Sequence, residues 1–150
     1  YNITGQLLRT LLSGVHQPEH VVLMVQKEVA ERLVCRDGKE SLLSISVKAF
    51  GNPKYIKTVS KKYFKPKPKV DSAILLIENV SKEFFEEIGE EKFFELVKAG
   101  FAHKRKLLIR NVESFFKDAP KIFVTCRIAE TARAEEVSLA SWHCLAKNMA

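Results

Sequence analysis

Long apolar runs, a basic leader, metal-type cysteine spacing and internal repeats are all missing from this 150-residue chain. No apolar stretch approaches the ~20 residues that a spanning helix needs, so no membrane is expected among the partners. The start, Tyr1-Asn2-Ile3-Thr4, has neither the basic residues nor the apolar core of a secretory signal, which points to a cytoplasmic protein. Position 1 is not Met, and further residues are expected upstream. The three cysteines, Cys35, Cys126 and Cys144, are an odd number, and none of their separations suits a metal. They read as buried or idle thiols of a reducing compartment, and no metal is expected. Without repeats or low-complexity tracts, the 46% hydrophobic composition describes an ordinary globular chain.

What is present is positive charge in an uneven distribution. The formal net charge is +7. Residues 1–80 hold 13 Lys and Arg against 7 Asp and Glu, and residues 81–150 hold 12 against 11. Seven lysines and no acid fall between Lys54 and Lys69. Such a stripe is the electrostatic footprint of a nucleic-acid or anionic-surface binder, although solubility alone also accounts for a charge of this size. Its densest part is Tyr63-Phe64-Lys65-Pro66-Lys67-Pro68-Lys69-Val70-Asp71-Ser72-Ala73. Two prolines in alternate positions fix φ and remove two backbone donors, so the segment is expected to be extended and neither helix nor central strand. A stiff cationic loop tipped by aromatic rings suits a polyanion with stackable bases. A solvated Lys/Pro connection is the plainer reading.

Along the chain, Gln6–Leu12 has leucines at helical spacing, with Thr4 as expected N-cap and Ser13-Gly14 as the end. The continuous apolar run Val21–Val25 reads as a strand buried on both faces, as in a helix-covered parallel sheet. Gln26–Val34 reads as a helix with Val29 and Leu33 on its apolar face. Residues 41–50 fit a strand through Ile45 and Val47, or a helix through Leu42/Leu43, Ser46 and Ala49/Phe50. Gly51-Asn52-Pro53 is expected to stop either one. Tyr55–Val59 and residues 72–77 read as strands on either side of the Lys/Pro loop. From Ser81 the pattern turns helical, with Gly89 as a break. Phe84, Phe85, Ile88, Phe93, Phe94, Val97 and Phe101 follow helical spacing, which marks a core rather than a ligand box. His103-Lys104-Arg105-Lys106 stands at a helix end, as cations favoured by the helix dipole or as a phosphate clamp. A last helix carries Leu139, Trp142, Leu145, Ala146 and Met149.

Five stretches, taken in order, resemble one family, the KsgA-type rRNA adenine N6,N6-dimethyltransferases. They are Tyr1–Thr4, Leu23–Leu33, Phe64–Ala73, Phe101–Leu107 and Arg133–Ser138. The fourth resembles the family's Phe-Ala-x-Arg-Arg-Lys-x-Leu, and the fifth its Arg-Ala-Glu-x-Leu-Ser. The resemblance implies an α/β fold: residues 1–80 as the C-terminal half of a Rossmann-like class I methyltransferase sheet, and residues 81–150 as a small all-α, RNA-binding domain. It implies S-adenosylmethionine as methyl donor, and the rRNA of the immature small ribosomal subunit as substrate and partner. The family's Gly-rich cofactor turn has no counterpart, because the chain contains no Gly-x-Gly. No cofactor-binding residue is therefore expected here, and methyl transfer by this chain alone is not expected.

The family's catalytic word, Asn-hydrophobic-Pro-Tyr/Phe, is matched here only by its last letter, Tyr1. In the intact family member the Asn side chain and Pro carbonyl accept the hydrogens of the adenine amine and turn its lone pair toward the sulfonium methyl. Tyr1 and Phe64 are the implied catalytic-site residues, stacking on the flipped-out base; for Phe64 a core plug is the structural alternative. The implied RNA contacts are Lys61, Lys62, Lys65, Lys67, Lys69, Lys104, Arg105 and Lys106. Two rival readings remain at this stage, a non-catalytic RNA-binding or ribosome-assembly module and a mitochondrial-type transcription factor derived from the same enzymes.

Overall fold

A computed structural model describes residues 3–150. The expectation for Tyr1 falls outside the described residues. Helix α1 (Thr4–Ser13) buries Leu8 and Leu12, one turn apart on its inner face. Its first bond runs from Leu7 N–H to the Ile3 carbonyl, so Ile3 takes the cap position and Thr4, expected there, is already helical.

Strand β1 (Val21–Gln26) passes directly into α2 (Lys27–Leu33), which buries Ala30 and Leu33. The ambiguous stretch 41–50 is settled as α3 (Leu42–Lys48) by a capping box. Ser41 Oγ accepts from Ser44 N–H at 3.1 Å, and Ser44 Oγ accepts from Ser41 N–H at 2.7 Å. Such reciprocal bonds satisfy helix-end donors that a strand would not present. Strand β2 (Asn52–Val59) starts earlier than expected, with Asn52 and Pro53 inside it and only Gly51 as the break. Proline is tolerated there because β2 is an edge strand. Strand β3 (Ser72–Glu78) is central, in the order β1-β3-β2, and both pairings are antiparallel.

The register corrects the reading of Val21–Val25. Val21, Leu23 and Val25 face the same side as Ile77, Leu75 and Ala73, and α2 lies across that face of all three strands. Val22 and Met24 point the other way and are 64% and 48% exposed. They pair with Leu76 and Ile74, and Ile56, at the irregularity in β2, is exposed too. The run is continuous in sequence because every residue is apolar, yet no described helix covers its second face, and the sheet is antiparallel rather than parallel.

After β3 the chain is helical: α4 (Glu90–Phe101), α5 (Leu108–Val112), α6 (Ala119–Thr125) and α7 (Leu139–Lys147), with single 3-10 turns before α4, after α5 and before α7. Gly89 enters α4 at φ +79°, a backbone region that suits glycine. The phenylalanines form a core, as their spacing predicts. The Phe50 ring lies 4.9 Å from Phe85 and 5.9 Å from Phe94, so sheet part and helical part share one continuous cluster of buried side chains. The cysteine expectation is corrected: Cys126 and Cys144 form a disulfide. The end of α6 and the body of α7 bring their Cα atoms to 5.6 Å, within bridging range. Only Cys35 is a free thiol.

Candidate nucleic-acid interface

Two loops carry the predicted contacts. The first joins β2 to β3. It is folded back rather than extended, because its two ends are tied together. Lys61 N–H donates to Asp71 Oδ1 at 2.9 Å, and Lys61 Nζ donates to the Lys69 carbonyl at 3.4 Å. Asp71 also accepts Lys27 N–H on its own carbonyl at 3.0 Å, which fastens the loop base to the start of α2. A single 3-10 turn, Lys61–Tyr63, starts the loop, and bends follow at residues 64–66. Lys62, Lys65, Lys67 and Lys69 are exposed, while Lys61 is half-buried at the base.

The aromatic tip has two unlike members. Tyr63 is 73% exposed, and the Lys62 ammonium sits 5.1 Å from its ring centroid. Phe64 is half-buried. Among the described residues it joins neither the side chains packed on the core nor any aromatic pair. A core plug would join the first of these.

The second loop, residues 102–107, joins α4 to α5. Its Lys104, Arg105 and Lys106 are exposed, and no acidic side chain pairs with them among the described residues. The backbone beneath them is firmly bonded. Lys106 N–H donates to the His103 carbonyl at 3.0 Å, and Leu108 N–H donates to the Ala132 carbonyl at 2.8 Å. The Asn111 side-chain amide donates to the Gly100 carbonyl at 2.8 Å and to the His103 carbonyl at 3.3 Å. No hydrogen bond, ion pair or ring contact joins the two loops among the described residues. Asp71 and Asn111 were not singled out by the sequence reading. Neither carries a local signature: Asp71 takes an N–H ten residues back, and Asn111 reaches carbonyls eight and eleven residues away.

Other chemistry-bearing groups satisfy one another. Glu40 takes hydrogen bonds from Lys48 Nζ at 2.6 Å, Ser44 Oγ at 2.6 Å and Cys35 Sγ at 3.0 Å. Burial works against the Glu40 charge, but the bonds from Cys35, Lys48 and Ser44 outweigh it and hold the carboxyl below its usual range. Burial and Glu40 push the Cys35 thiol up, so it is no activated nucleophile. A cleft of about 1250 Å³ between α1, α3 and α4 has an apolar floor including Phe50 and Phe94 and a rim carrying both signs of charge.

The described residues do not form a cradle for S-adenosylmethionine. At the β1–α2 junction, where a strand enters a helix, no glycine is present and the Lys27 N–H is already held by Asp71. Gly51 and Gly100 are packed against protein: a Cβ on Gly51 would lie 2.8 Å from the Glu78 carbonyl, and one on Gly100 would strike the Trp142 ring. No group of three or more metal-ligating side chains is assembled among the described residues, and no described helix is long and apolar enough to cross a membrane.

The model of the ribosomal RNA adenine dimethylase family matches residues 1–150. The chain is 36% identical over 146 residues to the ribosomal RNA small subunit methyltransferase A of Dehalococcoides mccartyi, covering 95% of this chain and 50% of that protein. It is 38% identical over 151 residues to the protein of the same name from Rippkaea orientalis, covering 95% and 55%. It thus spans about half the length of the curated relatives it matches. Its fold superposes on the crystal structure of the 23S rRNA methyltransferase ErmE with a TM-score of 0.78 at 20% identity, over 99% of this chain and 62% of that one. A dimethyladenosine transferase from Plasmodium falciparum gives 0.77 at 23% identity, over 97% and 62%.

Proposed function

The chain belongs to the ribosomal RNA adenine dimethylase family, and from that premise we propose that it is the RNA-facing part of an S-adenosylmethionine-dependent dimethyltransferase acting on adenosines of small-subunit rRNA. The observation that carries this reading is the exposed, unpaired Lys104-Arg105-Lys106 loop on a bonded backbone. Unpaired cations held in place neutralise phosphates and release counterions without first breaking ion pairs of their own. The lysines of the 60–71 loop are assigned as further phosphate contacts, and Phe64, free of the core, is the ring assigned to stack on an unpaired adenine. Division of labour falls near residue 80, with base handling before it and backbone gripping after it.

S-adenosylmethionine supplies the methyl group in such a reaction, and this chain's residues are given no step with it because they do not fit it. What they do is bind and orient RNA. Val22, Met24 and Ile56 form the kind of apolar sheet face that a doubly wound fold covers with further helices, and the additional length of the relatives is the assigned cover. For the 150-residue chain by itself, the missing cradle favours the second reading, RNA binding without methyl transfer. The test is a pair of titrations on this chain. An RNA hairpin with adenosines in its loop should bind and be displaced by salt, and S-adenosylmethionine should give no calorimetric signal. Absence of RNA binding overturns the proposal, and a micromolar constant for the cofactor overturns the second reading.

A further inference from the structure

Asn111 occupies an unusual position. Its amide nitrogen serves two main-chain carbonyls at the C-terminal end of α4, Gly100 at 2.8 Å and His103 at 3.3 Å. Its own Oδ1 is buried without a partner. Carbonyls in the last turn of a helix lack intrahelical donors, and here a side chain from the next helix supplies them. The two carbonyls bracket the start of the segment carrying Lys104, Arg105 and Lys106, and the Lys106 N–H closes back on the same His103 carbonyl. The surroundings fix the distance of approach. Gly100 leaves no room for a Cβ against the Trp142 ring and Leu108, and Trp142 stacks on Phe101 with centroids 5.7 Å apart. One buried amide thus ties the entry of a loop whose exit is held by the Leu108–Ala132 bond, and whose three cations have no acidic partner among the described residues.

We propose that Asn111 is a positioning residue for RNA binding. It touches no RNA itself and acts by holding the Lys104–Lys106 loop in the shape that meets consecutive phosphates. The inference rests on the RNA-binding reading of that loop. Leaving one Asn111 acceptor unpartnered is offset by satisfying two carbonyls, and a preordered loop loses less freedom when it meets its partner.

The test uses the whole 150-residue chain in four forms: wild type, Asn111→Leu, Lys104→Ala/Arg105→Ala/Lys106→Ala, and the combination. Leucine keeps the branching of the side chain at a larger volume, removes the donor and adds no charge. Two quantities are read, affinity for the RNA hairpin and the rate of tryptic cleavage after residues 104–106, mapped by mass. Asn111→Leu should weaken RNA binding by about tenfold in the native background and cause no further loss in the triple-alanine background, because residues acting as one unit are not additive. Without RNA, cleavage at the loop should be about tenfold faster, since nicking follows local opening. Asn111→Gln, which keeps the donor, should restore part of both. Equal losses in both backgrounds, or an unchanged cleavage pattern, overturn the inference. If the triple-alanine chain binds RNA like wild type, the RNA reading of the loop falls, and this inference with it. If the triple variant is weak and Asn111→Leu is silent, only the positioning role falls. Should Asn111→Leu lose its helical signal, Asn111→Ala repeats the measurement with less strain.

Discussion

The loop of residues 60–71 and the loop of residues 102–107 both offer cations to solvent, yet they are held in opposite ways. The first connects two strands that pair with each other from end to end apart from one irregularity at Ile56. It is tied at its foot by an acceptor, Asp71, which takes a backbone N–H ten residues back. The second connects two helices and is tied by a donor, Asn111, that reaches the carbonyls of the preceding helix end. A hairpin ladder holds the first loop even if its surroundings change. The second depends on tertiary packing of Gly100, Leu108 and Trp142 beneath it. A loop held by its hairpin ladder and a loop held by packing are two routes to the same saving in ordering entropy.

The comparison breaks most sharply at Gly100. Gly100→Ala pushes a methyl into the Trp142 ring and to 2.9 Å from Leu108 Cδ1, and overpacking of this kind costs about 1–3 kcal/mol. For a chain of this size that lowers the melting temperature by roughly 2–4 °C per kcal/mol. RNA affinity should fall together with the fold around the second loop, while protection of β2–β3 amides against hydrogen exchange is retained. Equal loosening of both loops would show that they are not independently held.

Phe64 sharpens the other side. If its ring stacks on an unpaired adenine, Phe64→Leu should cost about 1–3 kcal/mol of binding, roughly ten- to a hundredfold, at an unchanged melting temperature. Phe64→Tyr should be nearly silent. A core plug predicts the reverse, with Leu tolerated and the buried tyrosine hydroxyl penalised. A smaller effect is expected from Asp71→Ala, which removes one acceptor from the loop foot. The loss of about 1 kcal/mol in stability should be accompanied by faster tryptic cleavage among residues 61–69 and no change at residues 104–106. Faster cleavage at both places would join the two loops into one unit.

The first loop was legible as a proline-stiffened cationic connection between two strands, because its prolines and lysines are local signals within one short stretch. Its closure was not, since the extended reading took proline's fixed φ as the whole story and missed the Lys61–Asp71 bond. The helical phenylalanine core was legible from spacing. The strand Val21–Val25 was legible as a strand and misread as doubly buried, because hydrophobicity reports what a residue prefers rather than which elements are present to cover it. Cys126 and Cys144 are separated by 18 residues in sequence, and only the docking of α7 on α6 shows that they pair. The family resemblance was readable from five words in order, and the match over residues 1–150 agrees with it. Asn111 lay beyond reach for the same reason as the disulfide: its partners are defined by packing, not by spacing.

The central claim is that the 102–107 loop grips RNA through its phosphates, and the salt dependence of binding tests it most directly. The dissociation constant for the RNA hairpin is measured across a salt series for the 150-residue chain and for its Lys104→Ala/Arg105→Ala/Lys106→Ala variant. Loss of three phosphate contacts should make the slope of log affinity against log salt shallower by about two units, with weaker binding at every low-salt point. Parallel lines for the two proteins would contradict the account and return these cations to the solvated surface.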